Sequence, residues 1–225
     1  MRIGGFQRFS LSDFPGRVSA IVFAQGCNFR CPFCHNGGLI PLTPADGMLI
    51  PEEEVLEFLS SRRGRLDGVV ISGGEPTLQP DLPGFISRIR DLGLAVKLDT
   101  NGSRPDVLSR LISEGLVDYI AMDVKAPVES YGRLAGIETP TEPVLRSISI
   151  ISRSGVDHEF RTTRVSALLS EWDLIRISDL IPPGSRFTLQ QFRAEDALDP
   201  SLRAPAAPEL PLPAPQRRDI IAFRG

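Results

Sequence analysis

Cys27, Cys31 and Cys34 form a C-x₃-C-x₂-C pattern inside Gly-Cys-Asn-Phe-Arg-Cys-Pro-Phe-Cys-His-Asn, and the chain contains no other cysteine. Thiolates this close in sequence can close on one metal centre at small cost in loop entropy. Structural zinc is normally four-coordinate, so the triplet completes a zinc site only if a histidine such as His35 joins it. Zinc ligands usually come as two separated pairs, whereas His35 directly follows Cys34, which counts against such a knot. A cubane iron–sulfur cluster has four irons, so three cysteines leave one iron without a protein ligand. An open iron can bind a substrate rather than only relay electrons, and this is the reading the triplet favours. Scattered buried thiols are the bland alternative; the clustering of all three around Pro32 argues against it. A disulfide framework is excluded by the odd count and by the size of the chain.

A loop of this kind needs a frame. Val18 to Phe23 reads as a buried strand feeding into Gly26 and Cys27. Pro51 opens a helix with Glu52, Glu53 and Glu54 placed favourably for its dipole and Val55, Leu56 and Leu59 as its apolar face. Gly68 to Ser72 is a second strand ending in Gly73-Gly74-Glu75-Pro76, followed by a helix from about Asp81 to Leu92. Leu94 to Leu98 is a third strand running into Asp99-Thr100-Asn101-Gly102. Ser103 and Asp106 resemble a capping box for a helix whose face is Val107, Leu108, Leu111 and Ile112.

Val117 to Met122 is a fourth strand, ending in Asp123-Val124-Lys125. Thr139, Pro140 and Glu142 make a helix start leading to Val144, Leu145, Ile148 and Ile151. His158 to Val165 is a fifth strand carrying Arg161-Thr162-Thr163; His158 reads as a strand residue rather than a ligand. Ser170 and Asp173 cap a helix with Leu174, Ile175 and Ile177, in which Trp172 reads as a packing residue. Arg186 to Phe192 is a sixth strand. Six strands alternating with helices argue for parallel βαβ units with right-handed crossovers. The polar and Gly-rich segments all follow strand ends, so they should meet at one mouth, as in parallel α/β barrels. The chain is short for an eight-fold barrel, and a partial (β/α)6 barrel is expected.

The 225 residues are 41% hydrophobic and 24% charged, with a net charge of −3. That balance fits an ordinary globular protein and gives no electrostatic reason to expect nucleic acid as the main partner. No run approaches the length of a membrane span and the N-terminus has no apolar signal core, so a cytoplasmic setting is expected. From Ala194 onward prolines fall among alanines and leucines, a composition favouring extended chain. The division expected is a core over 1–193 and a Pro-rich C-terminal tail over 194–225, a linker or surface wrap in which Ile220 to Phe223 could return as an edge strand.

The cysteine loop and the strand-end motifs together resemble the radical S-adenosylmethionine (SAM) superfamily. Within it the similarity is to the activating proteins of glycyl radical enzymes, above all the anaerobic ribonucleoside-triphosphate reductase activating group. Gly5 to Gln7, Ser10 to Gly16, Phe23 to Asn36, Gly73 to Pro76, Asp99 to Gly102, Asp123 to Lys125, Arg161 to Thr163 and Gln190 to Arg193 carry it. The resemblance implies a radical SAM barrel in which Cys27, Cys31 and Cys34 hold a [4Fe-4S] cluster while SAM chelates the fourth iron. An electron from the cluster then breaks the sulfonium bond and gives a 5′-deoxyadenosyl radical. Phe33 and the backbone of His35 would border the adenine. Gly73, Gly74 and Glu75 would meet the methionine amino group, with Glu75 orienting the loop. Asp99, Thr100 and Asp123 would hold a monovalent cation near the SAM carboxylate, Asn101 belonging to the same motif. Lys125 and Arg161 would contact that carboxylate, although Lys125 could equally pair with Asp123 or Asp99.

The implied function is hydrogen abstraction from a backbone glycine of a large partner, an anaerobic ribonucleoside-triphosphate reductase, with a flavodoxin or ferredoxin-type protein as electron donor. With no cysteine outside the triplet, no auxiliary cluster is expected. Two rivals stand beside this reading. One is a small-molecule radical SAM enzyme of the 7-carboxy-7-deazaguanine synthase type; the other is a non-catalytic zinc- or cluster-binding module.

Overall fold

The computed structural model describes residues 1–44, 48–138, 140–203 and 222–224. Its frame is one sheet of eight strands in sequential order, β1 to β8. They are β1 Ile3–Ser10, β2 Ser19–Ala24, β3 Gly68–Gly73, β4 Ala95–Thr100, β5 Tyr119–Asp123, β6 Asp157–Arg164, β7 Arg186–Gln191 and β8 Ala222–Arg224. β1 runs antiparallel to β2, and every later neighbour pair is parallel. The six expected strands are therefore β2 to β7, in a sheet that also has an antiparallel strand before them and a parallel one after. The returning C-terminal strand is present as β8; Ile220, the proposed start of it, lies outside the described residues.

Helices α1 Glu52–Ser61, α2 Leu82–Asp91, α3 Pro105–Ser113, α5 Glu142–Arg153 and α6 Glu171–Asp179 provide the crossovers, and the short α4, Tyr131–Ala135, lies between β5 and α5. Successive strand residues point to opposite faces. Ala20, Val22, Val69, Ile71, Val96, Leu98, Ile120, Met122 and Phe160 therefore share the large core with the helices' buried faces. Their alternates form a smaller apolar layer on the other face, where Phe14, Ile21, Val70, Tyr119 and Ala121 pack together. The polar alternates Lys97, Asp99, Asp123 and Arg161 stand on this second face, away from the helices. Among the described residues no helix is long and apolar enough to cross a membrane.

Several local expectations change. α6 begins at the Ser170–Asp173 capping box as read. α3 instead has Arg104 at its N-cap with no side-chain cap bond, because the Ser103 hydroxyl accepts from Asn28 Nδ2 at 2.9 Å. α5 starts one residue after Thr141, again without a side-chain cap, and Thr139 lies outside the described residues. Trp172 does not pack: it is 66% exposed. The capping box fixes the rotation of α6 so that Leu174 and Ile177 face inward, which turns Trp172 and Ile175 to solvent. Leu145 is exposed because α5 turns Val144, Ile148 and Ile151 inward.

Candidate active site

The C-terminal ends of β3 to β7 and the loop after β2 meet at one cavity of about 840 Å³, lined by all three cysteines together with Phe33, His35, Gly73, Gly74, Asp99, Thr100, Asn101, Asp123, Lys125 and Arg161. Of the residues singled out from sequence, Glu75 alone does not line it.

The cysteine loop is braced from three sides. Cys27 N–H donates to Ile40 O at 3.0 Å and Cys34 N–H to Cys31 O at 3.0 Å, while Arg30 N–H reaches Ala135 O of α4 at 2.7 Å. Asn28 Oδ1 accepts from Asn101 Nδ2 at 2.9 Å, tying this loop to the end of β4. Burial pushes the Cys27 thiol up to about 11 and raises that of Cys31, so the metal-free loop holds thiols that must lose protons to ligate. His35 stacks on Phe192 with ring centroids 5.5 Å apart, and its Nε2 accepts from Arg193 N–H at 3.3 Å. Its ring and Nε2 are thus engaged with the segment just after β7.

Gly74 passes so close to the cysteine loop that an added Cβ would lie 2.2 Å from Gly26 O. This close approach lets Gly74 N–H bond Ala24 O at 2.9 Å and Glu75 N–H bond Gly26 O at 2.8 Å. Glu75 itself is fully buried. Its carboxylate accepts from Thr77 N–H at 3.1 Å, the Thr77 hydroxyl, the Thr100 hydroxyl at 2.8 Å and Asn101 N–H at 2.7 Å. Burial raises its pKa, with these four donors acting in the opposite direction. Glu75 therefore serves as a clasp between the β3 and β4 loops.

Across the cavity floor runs a ladder of alternating charge. Lys97 Nζ lies 2.5 Å from Asp99 Oδ1, and Arg161 reaches Asp99 Oδ2 at 3.3 Å and Asp123 Oδ1 at 2.9 Å. Lys125 Nζ pairs with Asp123 Oδ2 at 2.9 Å. Parallel register makes Asp123 and Arg161 direct neighbours across β5 and β6. Burial works to raise the carboxylate pKa values, but Arg161 and Lys97 lower that of Asp99, and Arg161 and Lys125 hold Asp123 well below the usual range. Lys125 also lies 5.9 Å from the Phe33 ring centroid, bringing a cation beside the cysteine loop.

The sequence reading does not single out Lys97. The available signal was a lysine in an otherwise apolar strand, two residues before Asp99 and hence on its face. It also leaves out α4 and Glu195, and gives no site role to Ser12, Asp13, Ser72 or Thr163; these four and Glu195 line the cavity as well. The segment from Ala194 is not all linker: Ala197 is buried, and Asp199 N–H donates to Pro32 O at 2.8 Å, laying this stretch over the cysteine loop.

Residues 21–177 match the sequence profile of the Radical SAM superfamily. The chain belongs to the radical SAM superfamily. A protein of Methanocaldococcus jannaschii, assigned by name to the glycyl-radical enzyme activating enzymes, is 35% identical over 219 residues, covering 94% of this chain and 86% of its own. That relationship places the chain in the activating-enzyme branch. The pyruvate formate-lyase-activating enzyme of Clostridium pasteurianum is 31% identical over 129 residues, 55% of this chain and 52% of that one. In fold, Streptococcus suis SuiB bound to S-adenosylmethionine superposes with a TM-score of 0.56 at 17% identity, over 77% of this chain and 40% of that one.

The cofactors of the superfamily are a [4Fe-4S] cluster and SAM. The residues present fit them. Three thiols line one cavity, and the Gly73-Gly74 turn brings backbone to the same cavity. Among the residues expected to hold a monovalent cation, the carboxylates are paired with side chains. Arg161 bridges Asp99 and Asp123, and the Thr100 hydroxyl is turned to Glu75.

Proposed function

We propose that this radical SAM activating enzyme installs a glycyl radical on an anaerobic ribonucleoside-triphosphate reductase, drawing its electron from a flavodoxin or ferredoxin-type donor. One observation carries the reading: three thiols, the Gly73-Gly74 turn and the charged ladder converge on one cavity, in a chain related to an activating enzyme over nearly its whole length. Ligand pockets run from roughly 300 to 1,000 Å³, so this one is of a size to take a nucleotide cofactor.

The cluster, when bound, supplies one-electron cleavage of the SAM sulfonium bond. The chain's own residues bind and orient. Cys27, Cys31 and Cys34 would ligate the cluster. The backbone at Gly73 and Gly74 receives the methionine amino group, and Lys125 and Arg161 present positive charge to its carboxylate. Phe33 and the His35 backbone border the adenine. Glu75 acts at one remove, by clasping the loops that carry these groups.

The test is anaerobic reconstitution, followed by SAM, reductant and the purified reductase. A glycyl doublet in the electron paramagnetic resonance spectrum is expected. Cleavage of SAM with no doublet would remove the reductase as substrate, and turnover of a small pterin without any protein would move the chain to the small-molecule reading. Cys31→Ala is expected to lose both iron and 5′-deoxyadenosine formation; retained cleavage would contradict its assignment as a ligand.

A further inference from the structure

We propose that Lys97 is a built-in counter-ion that takes the place of a solution cation, so that this chain binds SAM without K⁺ or Na⁺. Carboxylates gathered beside an anionic ligand group require positive charge, which either a bound ion or a side chain can bring. Here side chains bring all of it. Lys97 is 1% exposed, with Nζ 2.5 Å from Asp99 Oδ1. The other oxygen of Asp99 accepts from Ser72 Oγ at 3.1 Å and Arg161 at 3.3 Å. Asp123 has Arg161 on one oxygen and Lys125 on the other. Glu159, two residues before Arg161 on β6, is buried and accepts from the Thr188 hydroxyl at 3.1 Å. Lys97, Arg161 and Lys125 thus pair with both oxygens of Asp99 and of Asp123, and the Thr100 oxygen accepts from Gly102 N–H at 3.1 Å while its hydrogen goes to Glu75.

Lys97 reaches Asp99 from the floor side, with the Tyr119 ring centroid 6.0 Å from its ammonium. It does not line the cavity. It is a positioning residue that acts on ligand through Asp99 and Arg161. Removing its charge leaves Asp99 short of a counter-ion in a buried setting, where an unbalanced charge is costly, and opens a space of ammonium size that K⁺ or Na⁺ can enter.

The inference rests on SAM binding by the superfamily and not on which protein is activated, so failure of the reductase assay leaves it standing. SAM affinity of the cluster-loaded protein is measured by calorimetry in K⁺, Na⁺ and choline buffers of equal ionic strength. The wild-type affinity is expected to agree across the three within about twofold, while Lys97→Met weakens about tenfold in choline and recovers in K⁺ or Na⁺. Lys97→Arg, which keeps the charge, is expected to stay indifferent to the cation. A wild-type loss of about tenfold in choline overturns the proposal, and so does a Lys97→Met protein that binds equally in all three. Should Lys97→Met fail to load the cluster, thermal melting of the metal-free proteins decides. K⁺ is expected to raise the variant's melting temperature over choline and to leave wild type unchanged; the same response in both overturns the idea.

Discussion

Glu75 accepts four hydrogen bonds, two of them from backbone N–H groups that cannot turn away. Glu75→Gln puts an amide NH₂ against one of those donors, and an unsatisfied buried donor costs about 1–3 kcal/mol. A melting temperature lower by several degrees is the expected outcome in a thermal scan, together with weaker SAM binding because the clasped loops loosen. An unchanged melt would show that the clasp is not formed. The ladder makes a different prediction, in pH. The folded pKa values of Asp99 and Asp123 are depressed. Their stabilising contribution is therefore complete above the unfolded value of roughly 4 and is lost as pH falls through the native values. Urea unfolding between pH 7 and pH 3 should show wild type losing stability below pH 4 more steeply than Asp123→Asn. Parallel curves would mean that the carboxylate is unpaired.

At the scale of elements, the cysteine loop depends on a helix that the sequence does not announce. α4 is five residues long and ends at Gly136, whose φ of 68° lies in the left-handed region. An added Cβ there would sit 2.0 Å from Arg30 O, the carbonyl of the residue whose N–H bonds α4 at Ala135. Gly136→Ala combines the left-handed penalty of about 1 kcal/mol with a backbone clash inside the triplet. Iron per chain after reconstitution should fall, while far-ultraviolet circular dichroism stays close to wild type. Full iron loading would remove α4 as the buttress. The longer helices were legible because period 3.6 and the first-turn acids mark them. α4 was not, because a five-residue helix has too few positions to show a period, and its role is to touch a loop 100 residues earlier.

At the scale of the molecule, strand order and chain direction do the positioning. Parallel strands deliver six loops to one end, and alternation along each strand divides apolar residues facing the helices from charged residues facing the cavity. The stretch after β7 then lies over the cysteine loop through Asp199, with Ala197 buried. We therefore expect a chain truncated after Arg193 to lose iron faster on exposure to air than the 225-residue chain, followed by loss of the brown absorbance. Equal rates would show that this segment contributes nothing to shielding the loop.

The sequence by itself determined the chemistry and its frame: the spacing of three cysteines, the turn-forming glycines and the βα alternation are local properties, readable within a few residues. Tertiary structure decided which charges meet. Lys97, Asp99, Asp123 and Arg161 lie on three different strands; alternation within β4 already puts Lys97 on the face of Asp99, but only the parallel register brings Asp123 opposite Arg161. The rotation that exposes Trp172, the clasp at Glu75 and the buttress at Gly136 likewise depend on neighbours distant in sequence. Pairings of that kind are set by how elements pack, which no window along the chain contains.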